Sequence, residues 1–72
     1  MKSIEMTTFS YRGYTGSVEY SDEDKVYFGK ILNTKDLVLY EAETPSKLKI
    51  EFEDAVDDYI SYRLHALLKE LA

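Results

Sequence analysis

Carboxylates are the side chains of this sequence most able to do chemistry, and two groups of adjacent carboxylates are the main candidates. Asp22, Glu23 and Asp24 stand together in "EYSDEDKVY", and Asp57 and Asp58 are adjacent further along the chain. Calcium sites need about six to eight oxygen ligands, and the calcium-loop pattern of alternating acids, a glycine and a distal glutamate is missing here. We therefore expect the first cluster to form the hydrated tip of a turn.

A metal-dependent nuclease is the main catalytic alternative, because two-metal sites need carboxylates that converge from several elements. Glu19, Asp22, Asp57 and Asp58 could supply them only if the fold brought them together, and no histidine or lysine constellation supports such a site. His65 is the one histidine, and there is no cysteine. We expect no catalytic residue, no metal and no cofactor, and hence a protein that is not an enzyme. The two helical aspartates would either pair with basic side chains or help to recognise a basic partner.

The size and charge of the chain point to an acidic binding protein. Its 72 residues, without a cysteine to cross-link them, allow one small domain whose stability is marginal, so we expect a partner or self-association. A net charge of −5 argues against binding to phosphate backbones and suits a basic partner. No apolar run is long enough for a membrane span, and the first residues lack the apolar core of a signal peptide, so we expect a cytoplasmic protein.

The order of apolar, turn and helix signals predicts an α+β fold, a three-stranded antiparallel meander followed by one long helix (β-β-β-α). Residues rich in Tyr, Val and Thr favour strands and are separated by short polar turns. Thr44 and Pro45 are typical of a helix start. Within a single domain spanning 1–72, we expect a flexible lead-in at 1–8, a sheet at 9–43 and a helix at 45–71. The predicted strands are Phe9–Tyr20 with a kink, Val26–Leu32 and Leu37–Glu43.

The predicted helix carries two apolar stripes that do not coincide. At 100° per residue the first stripe should lie on the sheet; it consists of Leu48, Phe52, Ala55, Val56 and Tyr59. The second stripe is rotated by roughly a third of a turn; it consists of Ile60, Leu64, Leu67, Leu68 and Leu71. One straight helix cannot bury both on one small sheet. Either the helix bends near Ser61, or the second stripe is an oligomer interface, forming a dimer or a larger assembly.

Several segments, in order, resemble the N-terminal domain of the HicB family of antitoxins. They are "GYTGSVEY" from Gly13, the strand around Gly29, "DLV" from Asp36 and "AVDDY" from Ala55. The resemblance covers residues 11 to about 60 and implies a partial ribonuclease-H-like fold with an inhibitory role. HicB-like antitoxins bind HicA-like toxins, which are small basic mRNA interferases.

The chain departs from this family in the second half of the predicted helix. Family members usually continue into a fourth strand and a C-terminal DNA-binding domain, whereas "SYRLHALLKELA" extends the helix here. Direct DNA binding is therefore not expected. We expect a HicB-like antitoxin or antitoxin-derived protein that neutralises a HicA-like toxin, with Asp22, Glu23, Asp24, Asp57 and Asp58 as candidate partner-binding residues. The alternative is an orphan homo-oligomeric interaction module that has no toxin partner.

Overall fold

The computed structural model describes residues 8–71, except for the side chain of Leu71. It is an α+β fold with five strands in two small antiparallel sheets and one C-terminal helix. In chain order the elements are β1 (Thr8–Tyr11), β2 (Tyr14–Ser17), β3 (Glu19–Ser21), β4 (Val26–Lys30), β5 (Leu39–Ala42) and α1 (Pro45–Leu71). The lead-in predicted at 1–8 lies outside the described residues except for Thr8, which begins β1.

The first predicted strand is wrong as a single kinked strand, because the chain reverses direction at Arg12 and Gly13. Both residues have positive φ angles, 52° and 85°, and Tyr11 pairs directly with Tyr14 across the turn. This is the two-residue, type I′ kind of hairpin turn, whose twist matches that of the flanking strands. Glycine is favourable at its second position because a positive φ brings no steric penalty there.

The remaining strands form the meander that the sequence predicts, with shorter strands. In this second sheet β3 pairs with β4, and β4 pairs with β5. An isolated bridge between Gly16 and Ile31 connects the two sheets, so β2 and β3 follow one another along the same side of β4. The predicted strands Val26–Leu32 and Leu37–Glu43 are longer than the observed ones, which end at Lys30 and begin at Leu39; just beyond these ends the Ile31 amide donates to the Val38 carbonyl at 3.0 Å.

Asn33 explains why the connection between β4 and β5 is longer than a tight turn. Its side-chain oxygen accepts a hydrogen bond from the Thr15 amide at 2.9 Å, and its amide group donates to the Gly13 carbonyl at 3.1 Å. The connecting segment is therefore attached to the first hairpin. The backbone also turns towards β2, since the Leu32 amide donates to the Thr15 carbonyl at 2.8 Å, and so the segment does not continue the β4–β5 ladder.

The helix begins at a capped N-terminus and covers one face of the sheets with its first half. The Thr44 hydroxyl accepts a hydrogen bond from the Lys47 amide at 3.1 Å, as an N-cap residue does. Leu48, Phe52 and Val56 are fully buried against Ile31 and Tyr40. Tyr59 is also buried and Ala55 packs against this core, so the first stripe lies on the sheet as predicted.

The second half of α1 continues beyond the sheets. The helix is unbroken from Pro45 to Leu71, and the long axis of the molecule measures 52 Å against 21 Å and 18 Å for the other two. Between residues 8 and 71, no helix combines the length and the apolar character that crossing a membrane requires.

Candidate functional site

The acidic cluster Asp22–Asp24 forms the turn between β3 and β4. The Ser21 hydroxyl accepts a hydrogen bond from the Asp24 amide at 3.2 Å, and the Ser21 carbonyl accepts one from the Lys25 amide at 2.7 Å. Lys25 closes the turn with a positive φ of 60°. The backbone bonds are thus supplied by Ser21, which leaves all three acidic side chains exposed in water.

The two helical aspartates have different surroundings. Asp57 accepts a hydrogen bond from Arg12 at 2.8 Å and a longer one from the Tyr11 hydroxyl at 3.3 Å. This carboxylate raises the pKa of Arg12, chiefly through the hydrogen bond between them. Asp57 therefore attaches the helix to the tip of the first hairpin, whereas the neighbouring Asp58 is exposed.

The carboxylates considered for a nuclease are not brought together. Across residues 8–71 no three side chains of His, Cys, Asp or Glu form a group that could hold a metal ion. Asp22 lies at the β3–β4 turn, and Asp57 is paired with Arg12 at the other hairpin. His65 is exposed on the second half of the helix.

The sheet face opposite the helix carries the most distinctive polar and apolar arrangement. Because side chains alternate along a strand, Phe28 and Glu41 point away from the helix when Gly29 and Tyr40 point towards it. Glu19 is paired with Phe28, and Phe28 with Glu41, so one aromatic ring lies between two carboxylates in a row across three strands.

Phe28 and Glu41 of this row line an open groove with a volume of about 470 Å³, and Glu19 lies beside it as the cross-strand neighbour of Phe28. Val26, Phe28 and Leu39 provide its apolar lining, and Asp24 and Glu41 provide carboxylates. Leu39, the first residue of the edge strand β5, is 63% exposed and adds apolar surface to this groove. We call this surface, comprising Glu19, Asp24, Val26, Phe28, Leu39 and Glu41, the acidic groove.

Tyr40 connects the core to the strand junction beneath the acidic groove. Its hydroxyl donates a hydrogen bond to the Ser17 carbonyl at 2.7 Å, at the point where β2 ends and the ladder to β4 is interrupted. Burial raises the pKa of Tyr40 to about 12, and the negative charge of Glu19 acts in the same direction. The hydroxyl is therefore neutral and held in place, which fixes the backbone that supports Glu19.

The second apolar stripe is largely in water. Leu64, Leu67 and Leu68 are 57%, 50% and 64% exposed, and Ile60 is half-buried at the edge of the core. The side chain of Leu71 lies outside the described part. The sequence left two alternatives, a helix that bends near Ser61 and an oligomer interface. Since these three leucines are exposed, they do not pack back onto the sheet as the first alternative requires.

Of the acidic groove, the sequence predicts only Asp24 as a partner-binding residue; it suggests Glu19 only as a metal ligand and gives no role to Phe28, Leu39 or Glu41. A signal was present. In "VYFGKI", from Val26 to Ile31, alternate residues are Val, Phe and Lys on one face and Tyr, Gly and Ile on the other. Only the position of the helix decides which of these faces is covered.

Comparisons with known proteins assign no family to this chain. Searches against protein-family models, curated proteins and solved structures each return no match.

Proposed function

We propose that this protein is a HicB-like antitoxin, or an antitoxin-derived binding protein, that neutralises a small basic HicA-like ribonuclease in the cytoplasm by direct contact. The observation that supports this most strongly is the acidic groove, where apolar side chains are framed by carboxylates on the sheet face that points away from the helix. The resemblance of residues 11 to about 60 to the HicB N-terminal domain is the reason for proposing this family. The net charge of −5 suits a basic partner.

The groove combines the two contributions that a protein-binding surface needs. Phe28 and Leu39 offer apolar area whose removal from water supplies affinity. Glu19 and Glu41, on either side of Phe28, would orient a basic surface and speed its approach. The protein would inhibit by covering the ribonuclease and would need no reaction of its own.

The candidate partner-binding residues separate into two groups under this proposal. Asp24 lines the groove, and Asp22 and Glu23 extend its negative charge along the same turn. Asp58 is exposed on the helix, and Asp57 is already paired with Arg12. We therefore assign partner recognition to the turn and the groove, and a structural role to Asp57.

Affinity capture from the native host tests this proposal. We expect the tagged protein to retain a small basic protein in stoichiometric amount. Leu39→Arg places a positive charge in the groove and should abolish that retention. Leu37→Arg is the matched control, because Leu37 is 75% exposed and lies outside the groove. Recovery of no basic protein, or equal loss of it with both variants, would reject the proposed surface.

A second candidate function, an orphan homo-oligomeric module without a toxin, is favoured by a different observation. It rests on the exposed leucines of the second stripe, Leu64, Leu67 and Leu68. Under this candidate, the tagged protein would retain only further copies of itself. Self-association and toxin binding use separate surfaces, so the two candidates can be tested independently.

A further inference from the structure

The second half of α1 has the residue spacing of a two-helix seam. Ile60, Leu64, Leu67 and Leu71 follow one another at intervals of four, three and four residues. This is the heptad spacing of a coiled coil, with Leu64 and Leu71 at positions a, and Ile60 and Leu67 at positions d. Leu68 lies at position e and widens the apolar seam.

The charges beside this seam distinguish the two possible helix orientations. Arg63 and Glu70 both occupy position g. In a parallel pair, position g of one helix faces position e of the other, so Arg63 would meet the apolar Leu68 and form no ion pair. In an antiparallel pair, g faces g. Arg63 of one copy would then face Glu70 of the other, twice in each dimer.

The length of the free helix fits the same arrangement. Core contacts end at Ile60, and the helix continues to Leu71. If Leu64 of one copy packs on Leu67 of the other, then Ile60 lies opposite Leu71. At about 1.5 Å per residue, residues 60–71 of each copy span about 18 Å, and in this register each segment ends beside residue 60 of the other copy, where that copy's core contacts end. The two globular parts are thus kept at opposite ends.

From this seam, these charges and this length, we propose that two copies of the chain pair antiparallel through residues 60–71, with Arg63 of each copy opposite Glu70 of the other. The inference rests on the self-association candidate and adds its partner, orientation and register; it does not depend on a toxin. The helix is already held by the packing of its first half, so pairing need not nucleate it. The seam is short, and we expect a dissociation constant in the micromolar range.

Sedimentation velocity over a range of concentrations tests pairing itself. We expect a monomer–dimer equilibrium for the native chain, and a monomer for Leu64→Glu combined with Leu67→Glu. Both leucines are at least half exposed, so the double variant should remain folded, which circular dichroism checks. Tyr62→Glu is the control, since Tyr62 is 64% exposed and lies at position f, away from the seam, and should still form dimers. A native chain that stays monomeric at millimolar concentration overturns both self-association and this inference.

Orientation is tested separately by pulsed electron spin resonance on Glu51→Cys labelled with a nitroxide. The chain has no other cysteine, and Glu51 is exposed on the sheet-bound half of the helix. Antiparallel pairing centred between Leu64 and Leu67 places the two labels about 45 Å apart, whereas parallel pairing leaves them about 10–20 Å apart. A dimer with the short distance would overturn the inference and leave self-association standing.

The register is tested by exchanging the charges. Arg63→Glu alone and Glu70→Arg alone should each weaken the dimer about tenfold, since each replaces two attractive pairs by two repulsive ones. The double exchange should restore native affinity. Arg63 also lies over the Tyr59 ring, 5.9 Å from its centre, so Arg63→Glu alone removes this contact as well. The recovery of dimer affinity in the double exchange is therefore the decisive comparison. A double variant as weak as the single ones would overturn the proposed register.

Discussion

Gly29, like Gly16, is a position at which the sheet leaves no room for a side chain. A Cβ there would overlap the Ser17 carbonyl oxygen and lie 2.8 Å from the Tyr40 hydroxyl. Both neighbours are joined by a hydrogen bond of 2.7 Å, so neither can move without breaking it. The narrow gap at Gly29 therefore exists because the Tyr40 side chain crosses β4 at this residue, on the helix side of the sheet, to reach Ser17.

Gly29→Ala should lower the free energy of unfolding by about 1–3 kcal/mol, the usual effect of overpacking a buried position. Urea denaturation measures it. Gly13→Ala is the comparison, because Gly13 has a φ of 85° and open space around it. Its penalty of about 1–2 kcal/mol would come from the backbone alone. Proton spectra of Tyr40 provide a second comparison of the two variants. Equal stabilities, with the Tyr40 signals shifted in Gly13→Ala only, would show that Gly29 does not lie in close contact with Tyr40.

Tyr40 should make stability depend on pH under alkaline conditions. Its pKa is raised to about 12 in the folded chain by burial, against about 10 in an unfolded chain. Its stabilising contribution is therefore complete below about pH 10 and is lost as the pH rises through about 12.

Tyr40→Phe provides the measurement that isolates this residue from the other tyrosines. At pH 8 the substitution should lower the free energy of unfolding by about 0.5–1.5 kcal/mol through the lost hydrogen bond to Ser17. The difference between native protein and variant should shrink between pH 9 and pH 11.5. A difference that stays constant over this range would show that Tyr40 ionises normally.

At the scale of single elements, the helix is the part that the sequence predicted best. Its span and its buried stripe follow from local signals, namely Thr44, Pro45 and apolar residues at intervals of three and four. The first strand was mispredicted because Arg12-Gly13 is a weaker signal for a type I′ turn than Asn-Gly or Asp-Gly. The ends of β4 and β5 depend on Asn33 binding to β2, which is a long-range contact that no local pattern contains.

Thr44 should contribute to the stability of the helix out of proportion to its exposed position. Thr44→Ala removes the acceptor for the Lys47 amide and should lower the free energy of unfolding by about 1 kcal/mol. Thr44→Ser keeps a hydroxyl at the same place and should stay close to the native value. Thermal and urea unfolding of the three proteins would measure both; equal stabilities would mean that the cap bond contributes nothing.

At the scale of the whole molecule, two exposed surfaces lie apart from each other and take no part in packing the core. The acidic groove lies on the sheet face away from the helix, and the second stripe lies on the part of the helix beyond the sheets. The sequence predicted the second surface from a rotated stripe. It could not predict the first, because which sheet face is open depends on where the helix packs. The proposed inhibitor uses the groove, and the proposed dimer uses the stripe.

The most direct test of the inhibitor proposal is a titration of RNA cleavage by the captured basic protein. We predict that the native chain abolishes cleavage at stoichiometric concentration and that Leu37→Arg does the same. Glu41→Lys, which reverses a charge beside Phe28, should need at least about tenfold more protein, since charge reversals in an interface typically remove more than 1.4 kcal/mol. Undiminished cleavage in the presence of excess native protein would contradict the account.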